Sequence, residues 1–183
     1  MKRGDLYSLP DDLPVPEDDG AAAGLPGSRL APVALEASSG DRVVIAELSG
    51  RSVVFAYPRT GRPGEPSLGG DAFWDAIPGA RGCTPQACAI RDEHARFEAL
   101  GVRVFGLSTQ MPEEQREAAE RLHLPYPLLS DPAASLGLPT FEVEGVVLYR
   151  RLTLIVSDGV VEHAIYPVFP PTEAAAQALE RLA

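Results

Sequence analysis

The sequence predicts a mixed α/β domain: a central β-sheet flanked by helices and opened by an N-terminal β-hairpin. Three observations lead there. Short apolar runs recur at SVVFAYP (52–58), VRVFGLS (102–108) and PLLSD (127–131). Between them lie two helical patterns, TPQACAIRDEHARFEAL (84–100) and PEEQREAAERLH (112–123). Strand–helix–strand alternation places strands in parallel. Late in the chain, VVLYRRLTLIVS and VVEHAIYPV flank a Ser-Asp-Gly turn and add an antiparallel pair.

Each element follows in order. Residues 1–28 are rich in Pro, Gly and Asp and read as an extended or partly disordered arm. LAPVALEA (30–37) and RVVIAEL (42–48) alternate as two strands about an SSGD turn. SVVFAYP is continuously apolar and stops at proline, which suits a strand buried on both faces. Residues 59–82 hold six glycines and three prolines and read as a long loop, with Phe73 and Trp74 as the part that packs onto the body. Thr84 is the expected N-cap of the next helix, Pro85 its first residue, and Gly101 its stop. In the helix at 112–123, acidic residues open the first turn and Arg121 and His123 come late, the favourable sense for the helix dipole. ASLGL (134–138) reads as one further helical turn, VVLYRRLTLIVS as one long strand, and TEAAAQALERL (172–182) as a closing amphipathic helix. The expected architecture is a mixed sheet with helices on both faces, an order that the thioredoxin-like fold satisfies. The domain is expected over 29–183.

Composition narrows the function. At 183 residues, 45% hydrophobic and 23% charged, the chain suits one folded domain with a substantial core. No apolar stretch reaches the ~20 residues of a membrane span, and the N-terminus has no apolar secretory core. A net charge of −10 repels phosphate backbones, so nucleic-acid binding is not expected. Two cysteines are too few for a stapled scaffold or an all-cysteine zinc site. The histidines, His94, His123 and His163, are scattered, and His94 and His163 read as packing or surface residues. Neither metal nor organic cofactor is expected.

The chemistry concentrates in Gly82-Cys83-Thr84-Pro85-Gln86-Ala87-Cys88. Cys83 lies at a helix start, near unpaired backbone N–H groups at the positive end of the dipole. That position favours an anionic, nucleophilic sulfur. The alternative for both cysteines is a small buried core residue. In an intact helix their five-residue spacing separates the Cα atoms by roughly 8–9 Å, beyond the ~7 Å that a disulfide spans. The two sulfurs bond only if the first turns unwind. The spacing also argues against an ordinary C-x2-C dithiol.

The segment GCTPQACAIRD resembles the active-site helix of peroxiredoxins, in particular the bacterioferritin-comigratory or peroxiredoxin Q subgroup. FAYP, VFGLST, PLLSD and RLTLIVSDGVVEHAIY resemble the same subgroup in order and spacing, so the match runs from Leu30 to the C-terminus. The resemblance implies a thiol-dependent peroxidase that reduces hydrogen peroxide and organic hydroperoxides. Cys83 matches the peroxidatic cysteine, which becomes a sulfenic acid. Cys88 matches the resolving cysteine, which closes an intramolecular disulfide. Thioredoxin or a similar thiol reductant then reopens it. Arg151 matches the arginine that holds the thiolate and polarises peroxide. Alternation along a strand turns Arg150 to the opposite face, and a one-residue register shift exchanges the two.

One departure stands out. The positions just ahead of that cysteine that the family fills with proline and with threonine or serine are Ala76 and Ala80 here. Tyr57-Pro58-Arg59-Thr60 matches the missing piece upstream, which implies an 18-residue insertion, placed at about 61–80. Pro58 and Thr60 are therefore the substrate-site candidates. The alternatives are that Pro78 and backbone amides shape the site, and that Thr60 is an ordinary turn residue. The insertion reads as a lid, a selectivity element favouring bulkier hydroperoxides, or an interface. A monomer or weak homodimer in the cytoplasm is expected. A thiol–disulfide oxidoreductase and a redox-sensing module of the same fold are the competing functions.

Overall fold

The computed structural model describes residues 5–183, so the first four residues of the expected arm lie outside the described residues. The frame is a seven-stranded mixed sheet. Its strands are β1 (Leu35–Ala37), β2 (Arg42–Val43), β3 (Arg51–Ala56), β4 (Arg103–Ser108), β5 (Leu128–Ser130), β8 (Leu152–Ser157) and β9 (Val160–Ile165), in the order β2-β1-β5-β4-β3-β8-β9. A separate antiparallel pair, β6 (Thr140–Val143) and β7 (Val146–Tyr149), stands apart. The helices are α1 (Asp71–Ala76), α2 (Cys83–Ala99), α3 (Pro112–Arg121) and α4 (Ala174–Leu182). β3, β4 and β5 run parallel, and β8 lies antiparallel to β3.

The three longer helices gather on one face instead of dividing between two. Val53, Phe55, Val104 and Ile155 meet Ile90 and Phe97 of α2, Ala118 of α3 and Ala178 of α4 there. The reason is topological. The steps β3→β4 and β4→β5 move across the sheet in one direction, and right-handed crossovers put both helices on the same side. The opposite face buries Val54, Ala56, Phe105 and Leu154 under a 3-10 turn at Ile45–Glu47 and the residues around Leu30, Leu136 and Leu138.

Four local expectations are corrected. The second hairpin strand is two residues long, because Ile45–Glu47 turns into a 3-10 helix that buries Ile45 and Ala46. The long loop contains α1, whose Trp74 packs in a third small cluster with Phe141, Val143 and Leu148, while Phe73 stays exposed. ASLGL forms turns, not a helical turn, with Ala134 and Gly137 at positive φ. VVLYRRLTLIVS is two strands. It breaks at Arg150–Arg151, where Arg150 N bonds Pro139 O and β8 begins in the main sheet.

Residues 5–28 hold no helix or strand, yet they are tied to the body. Gly27 N and Leu30 N donate to Val161 O and Gly159 O, and Arg29 bridges to Val160 beside β9. Asp19 pairs with Arg150 at 2.7 Å and accepts from Tyr166 Oη at 3.0 Å.

Candidate active site

Parallel pairing brings the site together. β3 and β4 end in register at Ala56 and Leu107, so the residues leaving each strand emerge side by side. The Gln110 amide stitches them. Its Oε1 accepts from Thr60 N at 2.9 Å, Thr60 Oγ1 at 3.1 Å and Ser108 Oγ at 3.3 Å. With its proton committed to Gln110, the buried Thr60 hydroxyl keeps lone pairs to accept a further hydrogen. Pro58 is buried at the end of β3. Tyr57 donates to Gln115 Oε1 at 2.7 Å, and Gln115 Nε2 passes the connection to Leu129 O. Burial pushes the Tyr57 phenol far above its ordinary value, so it stays a neutral donor.

Cys83 is the first residue of α2. The N-cap is Gly82, not Thr84, and Pro85 is the third helical residue. Gly82 has φ +103°, a conformation that costs an L side chain dearly. A Cβ there would also sit 2.7 Å from both Leu9 Cδ2 and Pro171 Cγ. The glycine allows the chain to turn sharply under these two side chains and start the helix with the sulfur pointing inward.

Arg151 organises the rest from the start of β8. Its Nη2 lies 3.2 Å from Cys83 Sγ and also donates to the carbonyls of Ala80 and Arg81, both at 3.1 Å. Nε donates to Gly79 O at 3.2 Å, and Nη1 to Gln86 Oε1. Among the described residues, the hydrogen-bond partners of this buried cation are carbonyl and amide oxygens and the sulfur, and none is a carboxylate. Arg150 faces away, toward Asp19, Tyr166 and Thr140 O.

Cys83, Thr84, Thr60 and Gln110 line one cavity of about 100 Å³, with Trp74 and Leu6 among its apolar walls. The charges around it are paired: Arg59 with Glu114, Arg62 with Glu117, and Arg81 with Asp75 at 3.0 Å. The cavity thus sets the Cys83 sulfur, itself in contact with the Arg151 cation, beside a hydrogen-bonding hydroxyl, with paired charges around it.

Of the candidate residues, Cys83 touches Arg151 and shares a cavity with Thr60. Pro58 does not line that cavity, and neither does Cys88. Both cysteines are free thiols. Cys88 is half-buried on α2, and burial raises its pKa above the ordinary thiol value against the pull of nearby Arg91. Tyr126 caps this side of the helix by donating to Ala87 O at 2.9 Å, and His94 stacks on the Tyr126 ring. His163 is exposed on β9 and His123 follows α3 at positive φ.

Sequence reasoning missed Gln110, Gln86, Leu6 and Leu9. Gln110 sits directly after VFGLST, and its place two residues beyond a buried strand was the one signal that could have found it. The others have none, because Leu6 and Leu9 lie more than 70 residues from Cys83 and Gln86 is one polar residue among several on α2.

The Redoxin family model matches residues 25–180. The chain is 28% identical over 176 residues to a chloroplastic peroxiredoxin Q of Gentiana triflora, covering 91% of this chain and 72% of the relative. It is 29% identical over 150 residues to that of Sedum lineare, covering 79% and 70%. Among solved structures it resembles peroxidoxin BcpB of Mycobacterium tuberculosis, with a TM-score of 0.65 at 27% identity, over 86% of this chain and 95% of the other. The fold is also shared with the bacterioferritin comigratory protein of Xanthomonas campestris, with a TM-score of 0.63 at 18% identity over 93% and 97%.

Proposed function

This chain belongs to the Redoxin family, and on that premise we propose that Cys83 is its peroxide-attacking thiol, Cys88 its resolving thiol and Arg151 the cation serving the first step. The protein is a thiol-dependent peroxidase of the peroxiredoxin Q type. The observation that carries the residue assignment is the 3.2 Å contact of Arg151 Nη2 with Cys83 Sγ beside a cavity that Thr60 and Thr84 also line.

The steps follow from the geometry. A hydroperoxide ROOH enters the cavity and donates its O–H to Thr60 Oγ1. The Cys83 sulfur attacks the terminal oxygen, an S–O bond forms and the O–O bond breaks. RO⁻ leaves with the electron pair and takes up a proton, so the products are Cys83 sulfenic acid and an alcohol, or water from hydrogen peroxide. Arg151 stabilises the negative charge as it passes from sulfur to oxygen. The first turns of α2 then unwind, because the helix holds the two sulfurs beyond bonding reach. Cys88 attacks as thiolate, the S–S bond forms, and the sulfenic hydroxyl leaves as water after protonation. A thioredoxin-like dithiol reduces the bridge by exchange and is itself oxidised. No step needs a metal or organic cofactor. Pro58 holds the end of β3, and with it Thr60, in place. A monomer or weak homodimer in a reducing, cytoplasmic compartment belongs to the same reading, since the bridge depends on an external thiol pool.

The test is single-turnover oxidation followed by intact mass. Wild type is expected to gain a Cys83–Cys88 bridge. Cys83→Ser should consume no peroxide, and Cys88→Ser should stop after one turnover at the sulfenic or sulfinic acid. Retained thiol-dependent turnover in Cys83→Ser overturns the assignment.

A further inference from the structure

The segment that delivers Cys83 is held from two sides. On one, Arg151 binds the carbonyls of Gly79, Ala80 and Arg81. On the other lies the N-terminal arm. Asp5 O accepts from Arg81 Nη2 at 3.3 Å, Leu9 Cδ2 lies over Gly82, and Pro16 packs on Gly79. Farther along, Asp19 is clasped by Arg150 and Tyr166. The arm thus crosses the N-cap of α2, the part of the fold that must give way before Cys88 can reach Cys83.

We propose that residues 5–19 form a strap over the start of α2, and that Leu9 is a positioning residue which sets how readily Cys88 bridges to oxidised Cys83. The inference rests on the assignment of these two cysteines above. Leu9 contacts Gly82 only while the helix start is intact. Its packing stabilises the wound form and contributes nothing to the unwound one, so trimming it shifts the balance toward unwinding. Peroxide attack uses the wound form, which stays dominant, so the first step does not change. Bridging draws on the unwound minority, so the second step accelerates in proportion. A slower bridge leaves the sulfenic acid exposed longer to a second peroxide, which makes the strap a determinant of over-oxidation to sulfinic acid.

The test separates the two steps in the full-length reduced protein. Trp74 fluorescence follows mixing with hydrogen peroxide, and acid-quenched samples are weighed for sulfenic, sulfinic and bridged forms. Leu9→Ala is expected to bridge about fivefold faster while its attack constant stays within about twofold of wild type, the loss of a partly buried leucine contact. Its peroxide concentration for half sulfinic conversion rises by the same factor. Pro16→Ala should shift the same step in the same direction, and Leu9→Met should restore wild-type bridging. Unchanged or slower bridging in Leu9→Ala overturns the strap, as does a variant that loses attack rate while bridging normally. Absence of a Cys83–Cys88 bridge in wild type overturns the cysteine assignment, and the strap with it.

Discussion

Arg151 Nη2 stands 3.2 Å from Cys83 Sγ and donates to the carbonyls of Ala80 and Arg81 at 3.1 Å, so one guanidinium holds both the sulfur and the segment that presents it. A lysine in its place keeps the charge and loses the planar fork. Arg151→Lys is therefore expected to lower the rate constant for peroxide by about a hundredfold, the scale of losing an oriented charge donor at a reacting centre. Competition against a reference peroxidase measures it. A rate within a factor of two of wild type removes Arg151 from the first step.

Thr60 donates to Gln110 and offers its remaining lone pairs to the cavity. Thr60→Val keeps the shape and deletes the hydroxyl. It should slow attack by about tenfold, the scale of one hydrogen bond of ~1.4 kcal/mol in the transition state. Thr60→Ser should stay near wild type. Equal rates for the valine and serine variants would show that Thr60 is only a turn residue.

Cys88 makes a pH prediction whose sign is fixed by burial. Its pKa is raised, so at a given pH the folded protein holds less thiolate there than a free peptide does. In Cys83→Ser, alkylation of Cys88 by iodoacetamide should be slower than in the unfolded chain near neutral pH. Its half-maximal rate should fall at higher pH than the ordinary thiol range. Adding urea should move the profile down. A profile identical in folded and unfolded protein contradicts the burial.

Trp74 is 5% exposed and joins α1 to the β6–β7 pair through Phe141, Val143 and Leu148. Trp74→Ala should cost about 3 kcal/mol in urea unfolding, the range for emptying a buried aromatic site. Trp74→Phe should recover much of it. A midpoint unmoved by the alanine would mean that α1 does not pack there.

The helix at Cys83 and the strands around it were legible because apolar runs bounded by Pro and Gly have few other solutions, and because GCTPQACAIRD is a specific pattern. The pairing of Arg151 with Cys83 was legible only through resemblance, since adjacent arginines look alike in one chain. What hid α1 was composition: glycines and prolines on both sides of DAFWDA masked a six-residue helix whose stability comes from Trp74 packing on a hairpin far along the sequence. The break at Arg150–Arg151 was hidden for a related reason. VVLY and LTLIVS are both apolar, and nothing local says that they enter different sheets. The arm's contacts with Gly79, Arg81 and Gly82 leave no periodicity at all, because each is a single residue meeting a distant one.

The ends of the stretch between Thr60 and Ala80 are anchored independently, one by Gln110 and the other by Arg151. The route taken between them is tied back at three points of its own: Trp74 on the β6–β7 pair, Asp75 on Arg81 and Gly79 O on Arg151. A grafted peptide would disturb least at the exposed residues 62–66, whereas a change at Trp74, Asp75 or Gly79 pulls on the segment that presents Cys83.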